Sequence, residues 1–323
     1  MTQDTKRIMI TGAAGQIGSE LASLLRKRFG AANVLETDIV EPPGSASEAG
    51  PFEVLDVTDR AGLTSVIRRH RIDTVFHLAA LLSVTGEKNP QKAWAINIGG
   101  LYNVLEAGRE LGLTRIFNPS SIAVFGPATP RVRTPQDTVL DPTTIYGVTK
   151  VAGEHLCDYY VRKYGLDVRG CRFPGIISHE TPPGGGTTDY AVAIFYEAVR
   201  AERYTCFLRE DTRLPMMYMP DCLKSIVDLM EADASRLRHH SNFNVTAMSF
   251  TAGELAAEIR RRVPGFACTY APDFRQAIAD SWPASLDDSA AREEWGWRPQ
   301  YDMASMTTDM LAALGKMKAE GTL

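Results

Sequence analysis

Tyr146 and Lys150 stand four residues apart in the run Tyr146-Gly-Val-Thr-Lys150, a spacing that puts a phenol and an ammonium on one face of a helix. A tyrosine with its ordinary pKa of about 10 is a poor base at neutral pH, but a neighbouring ammonium favours the phenolate and so opens proton exchange with an alcohol. The spacing alone does not select this pair, because Tyr159 and Lys163 repeat it. What separates them is the run Pro119-Ser-Ser-Ile-Ala-Val-Phe-Gly126, at the end of a predicted strand. Ligands of open α/β sheets lie at that edge.

A second constellation stands near the start of the chain. Thr11-Gly-Ala-Ala-Gly-Gln-Ile-Gly18 places glycines at 12, 15 and 18 between a predicted strand and a predicted helix. Glycines there allow a tight turn and let backbone amides approach a pyrophosphate, while the helix N-terminus supplies positive potential. Asp38, 20 positions after Gly18, closes the next predicted strand. A carboxylate there accepts ribose hydroxyls and repels a 2′-phosphate, which points to NAD rather than NADP.

Elements that would position these groups are visible in the hydrophobic pattern. Short apolar runs at 7–11, 33–38, 52–55, 74–78, 115–119 and 167–172 read as strands, and they alternate with amphipathic stretches such as 16–29 and 93–111. The alternation predicts βαβ units, hence a Rossmann-type doubly wound parallel sheet in an α/β protein. After residue 175 the regularity fades, and Pro182 to Thr188 is loop by composition. We expect residues 1–175 to form an NAD-binding domain carrying the chemistry, and 176–323 a smaller substrate-binding lobe to which some segments of the chain do not strictly keep. The linker-like 41–51 stretch falls inside the first lobe and reads as a surface loop.

Composition narrows the function. With 35 basic residues against 39 acidic ones, the chain has no cationic excess for a phosphate backbone, which argues against nucleic-acid binding. Its five cysteines are odd in number, dispersed and without a CxxC pair, so neither a disulfide framework nor a zinc knuckle is expected. The six histidines form no HExxH or similar ligand spacing, and no metal is expected. No apolar run nears the roughly 20 residues that span a bilayer, and no signal-peptide pattern opens the chain. A soluble, cytoplasmic enzyme is the expectation, with no membrane partner.

The glycine run, the Ser-Ser-x-x-Val-Phe-Gly segment and the YxxxK pair, in this order, resemble the extended short-chain dehydrogenase/reductase family. That resemblance implies Ser121 as the catalytic serine, Tyr146 as acid/base and Lys150 as its partner, with Ser121 stabilising charge that develops on the substrate oxygen. It further implies cofactor contacts from Gly12, Gly15, Gln16, Ile17 and Gly18, from Asp38, Asp56 and Val57, and from Leu78, Ala79, Ala80 and Asn97. Phe173 and Ile176, with Tyr146 and Lys150, would meet the nicotinamide end. Related proteins commonly form homodimers through two long helices, here 93–111 and 146–164.

Many such relatives act on nucleotide sugars and carry an arginine that grips the diphosphate. The corresponding run here is Leu214-Pro-Met-Met-Tyr-Met-Pro-Asp221. Leucine offers a phosphate nothing, whereas an arginine fork pairs with it bidentately; Arg213, one residue away, would restore the contact after a register slip. Together with Arg172-Phe-Pro-Gly-Ile-Ile177, Pro183-Gly-Gly-Gly-Thr-Thr-Asp-Tyr190 and Ser281-Trp-Pro-Ala-Ser285, this run resembles the short-chain-type L-threonine 3-dehydrogenases. Those enzymes oxidise the β-hydroxyl of L-threonine to 2-amino-3-ketobutyrate with NAD. The resemblance implies Ser83, Ser121, Tyr146 and Thr187 around the amino acid, Asp189 on its ammonium, and Trp282 in a lid that the glycines 184–186 let close. A nucleotide-sugar epimerase or dehydratase, and a non-catalytic NAD sensor, remain as alternatives.

Overall fold

The computed structural model describes residues 6–41, 50–184 and 186–323. Residues 42–49 of the expected surface loop, and Gly185 of the glycine run, lie outside the described residues. The chain forms two compact units: 1–121 with 145–172 and 226–243, and 122–144 with 173–225 and 244–323.

In the first unit, strand β1 (Ile8–Thr11) is buried along its whole length, as an apolar strand covered on both faces must be. It pairs in parallel with β2 (Val34–Asp38) on one side and β4 (Thr74–His77) on the other, Ile8 facing Val34 and Thr74. Strands β3 (Phe52–Val54), β5 (Arg115–Phe117) and β7 (Val168–Arg169) complete the order β3-β2-β1-β4-β5-β7. The doubly wound parallel sheet expected from the sequence is therefore present. Strand order along the sheet reverses between β1 and β4, the position where such sheets open a crevice for ligands.

Helix α1 (Gln16–Phe29) buries Gly18, Leu21, Ala22 and Leu25 and carries Arg26, Lys27 and Arg28 in its last turn, where cations complement the helix dipole. Helix α2 (Arg60–His70) starts from Asp59, whose carboxylate accepts the Gly62 amide. Leu63, Val66 and Ile67 of α2 pack with Met9, Val75, Ile116 and Val168 of the sheet; each such side chain contributes roughly 1.5–3 kcal/mol by leaving water.

The helix expected over 93–111 is interrupted. Short helices α3 (Ser83–Lys88) and α4 (Pro90–Trp94) lead into one π-helical turn, Ala95–Gly100, and only then into regular helix α5 (Leu101–Leu111). Asn97 occupies that turn, and its side-chain amide bonds the Leu81 backbone. Strand β6 (Ser120–Ser121) follows β5, and helix α6 runs from Ile145 to Tyr164. Its first amide is held by Glu87, since Ile145 N donates to Glu87 Oε1 at 2.7 Å.

The run 167–172, read as one strand, is two: β7 and β8 (Cys171–Phe173). Gly170 between them has no room for a side chain, because a Cβ there would sit 2.1 Å from Asn118 O and 2.8 Å from Ser241 O. Its own amide donates to His240 O, and its carbonyl accepts from Phe243 N. Backbone from two other segments, at Asn118 and at 240–243, converges on this glycine.

In the second unit, β9 (Gly175–Ile177) runs parallel to a longer strand over 213–218, which also pairs antiparallel with Met248–Thr251. Helix α7 (Tyr190–Ala201) is largely buried. The helix Ala252–Arg260 opens on a capping box between Thr251 and Glu254, two orphan amides satisfied reciprocally.

Substituting Gly170→Ala should destabilise the protein by about 2–4 kcal/mol, the cost of forcing backbone apart on both sides of a buried position. Chemical denaturation followed by circular dichroism would measure it, and an unchanged midpoint would show that the junction yields.

Candidate active site

Gly12 takes φ +71°, and a Cβ on it would lie 2.6 Å from the Ala79 amide nitrogen. A Cβ on Gly18 would lie 2.3 Å from Gly12 O, and the Gly15 amide donates to that same oxygen at 3.1 Å. Any larger residue at 12 or 18 would open the turn. Gly15 is the N-cap of α1; among the described residues no side chain caps it, and the first turn carries no acid. The free amides and dipole end therefore suit an anion. Gln16 and Ile17 are half-buried behind them.

Asp38 is fixed beside this loop: Oδ2 accepts from Ala14 N at 3.0 Å and Oδ1 from Ile39 N at 2.7 Å. Asp56 is exposed and accepts from both the amide and the hydroxyl of Thr58, whereas Val57 is buried. Leu78, Ala79 and Ala80 continue from β4 half-buried, with Leu78 N donating to Thr11 O. Asn97 clamps the end of this segment: its Oδ1 accepts from Leu81 N, and its Nδ2 donates to Leu81 O and to Thr149 Oγ1 on α6. Glycine turn, uncapped helix and anchored carboxylate together fit the pyrophosphate and ribose of a dinucleotide.

At the carboxyl end of β5, the carbonyl of Pro119 accepts from Lys150 Nζ at 2.7 Å. Lys150 Nζ lies 5.5 Å from the centre of the Tyr146 ring, and the Tyr146 phenol is hydrogen-bonded to Ser121. The sequence-predicted trio is thus assembled within the first unit. Tyr159, of the competing Tyr159/Lys163 pair, is 52% exposed and stacks edge-on with Tyr160 and Tyr164 on the outer face of α6.

Burial raises Tyr146 to about 12, partly opposed by the bond to Ser121. It lowers Lys150 to about 8, with Cys157 and Glu154 pulling the other way. His77, buried on β4 and hydrogen-bonded through Nδ1 to Thr11 Oγ1, is driven down to about 3 by burial and by the Lys150 charge. It is neutral at physiological pH and adds no charge to the site.

Ser83, at the start of α3, is buried in the first unit. In the second unit Phe173 and Trp282 are buried and Ile176 is half-buried. Thr187 is also buried there, and its hydroxyl has no hydrogen-bond partner among the described residues. Asp189 Oδ2 accepts from Gly186 N at 2.7 Å, and a Cβ on Gly186 would reach 2.9 Å from Asp189 Oδ1. At least one glycine of the run therefore serves close approach to a carboxylate. Leu214 is fully buried, and Arg213 is committed to Ser249 O and Glu254, so it is not held in reserve for a phosphate. Sequence reasoning missed Thr149, Glu154 and Arg172; Glu154, one turn beyond Lys150, was within reach of the same helical argument.

The order of the sheet, the glycine turn and the Ser-Tyr-Lys trio define the class. The chain belongs to the NAD dependent epimerase/dehydratase family, whose pattern it matches over residues 8–245. It is 53% identical to a Staphylococcus haemolyticus protein described as an uncharacterized epimerase/dehydratase, over 96% of this chain and 98% of that one. Two solved structures are similar throughout. One is a partial consensus L-threonine 3-dehydrogenase, with TM-score 0.94 and 55% identity over 96% of this chain and 99% of the other. The second is the L-threonine dehydrogenase of Clostridium difficile, with TM-score 0.94 and 52% identity over 97% and 98%.

The charge on Lys150 is held against burial, which fixes the sign of its effect on stability. A folded pKa near 8 against 10.5 unfolded means that the unfolded chain binds more protons between those values, so this group's destabilising contribution is complete below pH 8 and fades as pH rises towards 10.5. Lys150→Met should therefore raise the thermal midpoint at pH 7 by a few degrees, a gain of up to roughly 3 kcal/mol by the lysine's depression. Melting curves at pH 7 and pH 10 test this; a lower midpoint at pH 7 would contradict it.

Proposed function

We propose that this protein is an NAD-dependent L-threonine 3-dehydrogenase, oxidising the 3-hydroxyl to give 2-amino-3-ketobutyrate. The observation that carries the reading is an intact Ser121-Tyr146-Lys150 trio in a chain more than half identical, nearly end to end, to an L-threonine dehydrogenase. The engagement of Arg213 and the burial of Leu214 count against a nucleotide-sugar diphosphate in their place.

In this reading Tyr146 Oη takes the hydroxyl proton. Burial opposes its phenolate and the hydrogen bond to Ser121 favours it, while the Lys150 ammonium, 5.5 Å from the ring centre and held by the Pro119 carbonyl, adds positive potential to the site. Ser121 donates to the substrate oxygen and steadies the charge that develops there. The bound nicotinamide supplies the hydride acceptor. Gly12, Gly15, Gln16, Ile17 and Gly18 would hold its pyrophosphate, Asp38 its adenosine ribose, and Asp56, Val57, Leu78, Ala79, Ala80, Asn97, Phe173 and Ile176 the remaining length. Ser83, Thr187, Asp189 and Trp282 are assigned to the amino acid; the unmatched Thr187 hydroxyl supports this, since a buried hydroxyl without a partner costs about 1–3 kcal/mol that a polar ligand would recover.

The same reading makes the protein a cytoplasmic homodimer. Four of its five cysteines are buried and all are free, which suits a reducing compartment. Trp94, Tyr102, Val148, Tyr159 and Tyr164 expose apolar surface on α4, α5 and α6 that a second copy would cover.

Turnover is tested by NADH formation with L-threonine, with UDP-sugars and with no substrate. L-Threonine alone should give NADH, and Tyr146→Phe should lower kcat by about 1000-fold or more while NADH binds within about three-fold of the unaltered protein. Sugar-dependent turnover, or NAD binding without any turnover, would replace this reading. For the cofactor, Asp38→Ser should narrow the preference for NAD over NADP by about ten-fold or more, read as the ratio of kcat/KM values.

A further inference from the structure

Tyr146, Lys150 and Glu154 occupy successive turns of one face of α6. Glu154 is 3% exposed, and so is Arg172 of β8, which grips it in a fork: Nε donates to Oε1 at 2.9 Å and Nη2 to Oε2 at 2.8 Å. Ser120 Oγ donates to the same Oε1 at 2.5 Å. Ser120 lies between Pro119, whose carbonyl holds Lys150, and Ser121, the trio member that meets Tyr146.

A buried ion pair is weak evidence for stability, because the desolvation of two charges offsets most of their attraction. Its worth here is geometric. Glu154 ties the segment that supplies both the lysine's acceptor and the tyrosine's partner to the helix that carries the lysine and the tyrosine. It is also the nearest carboxylate along that face to the buried ammonium.

We propose that Glu154, locked by Arg172 and Ser120, is a positioning residue of the dehydrogenase site: it sets the 119–121 segment against α6 and keeps Lys150 protonated. The proposal rests on the reading of Tyr146 and Lys150 as the proton-transfer pair. Among the described residues, the groups that bear on Lys150 are, on α6, the buried Cys157 thiol, which burial pushes well above its ordinary range, Glu154 and the Tyr146 ring; beside β6, the Pro119 carbonyl; and on β4, the neutral His77. Arg172 stands behind Glu154. Of these, Glu154 brings the carboxylate that opposes the ammonium's charge.

Removing Glu154 alone would strand a buried guanidinium and risk the fold, so the test uses the double variant Glu154→Gln/Arg172→Met, in which both charges go together. Lysine-selective 13C NMR of the cofactor-free protein reads the Lys150 titration with no substrate present. The expected result is a midpoint lowered by about 0.3 pH unit or more, since the lost carboxylate stands nearer the ammonium than the lost guanidinium, with an acidic limb of the kcat/KM profile displaced to higher pH because the phenolate has lost support. Ser120→Ala keeps the ion pair and cuts only the link to the segment; kcat should fall about five-fold with KM little changed. A folded double variant with an unmoved Lys150 midpoint overturns the electrostatic role, and unchanged kcat in Ser120→Ala overturns the positional one. Should the double variant not fold, Glu154→Asp, which keeps the charge but is too short for both partners, must leave the Lys150 midpoint in place and lower kcat; any other pattern refutes the proposal. If the unaltered protein fails to oxidise L-threonine, the proposed substrate falls while the titration still decides this point.

Discussion

The hydrogen bond from Lys150 Nζ to the carbonyl of Pro119 joins the two parts of the site that come from distant stretches of chain. One part follows the end of β5, which the parallel sheet fixes. The other is the first two turns of α6, fixed by Glu87 at the helix start and by Asn97 through Thr149. An ammonium that burial would rather discharge is kept in place by this acceptor, and the proton transfer proposed for the tyrosine depends on it.

The sheet and its ligand-facing loop were legible because they rest on local signals. An apolar run such as Ile8–Thr11 can only be a covered strand, and a glycine at φ +71° against the Ala79 backbone explains why Gly12 is glycine at all. The Tyr146/Lys150 pair was chosen over Tyr159/Lys163 by its place after the Pro119–Gly126 run, and the exposure of Tyr159 agrees with that choice. What stayed hidden was tertiary. The break at Gly170 is set by Asn118 and Ser241 approaching from elsewhere in the chain, and nothing in the sequence around residue 170 announces them. The Glu154–Arg172 pair likewise depends on a strand meeting a helix 18 residues away.

Arg213 illustrates the opposite case, in which structure settles what spacing left open. A one-residue slip would have offered its guanidinium to a phosphate, but the residue spends its donors on Ser249 and on Glu254, the acid that also closes the capping box of the following helix. In the proposed reading, that engagement is one observation set against a sugar-nucleotide substrate.

The π turn at Ala95–Gly100 has a consequence for the rod as a whole. One residue more than a regular turn rotates the α4 side of the junction by about 100° relative to the α5 side. The stretch from Pro90 to Leu111 is therefore two wheels out of phase: Leu101, Val104 and Leu105 address the core on one setting, while Asn97 reaches the Leu81 backbone on another. Hydrophobic periodicity summed across the junction blurs both, and a single deletion inside it would restore a regular helix only by swinging the Asn97 amide off the backbone it clamps.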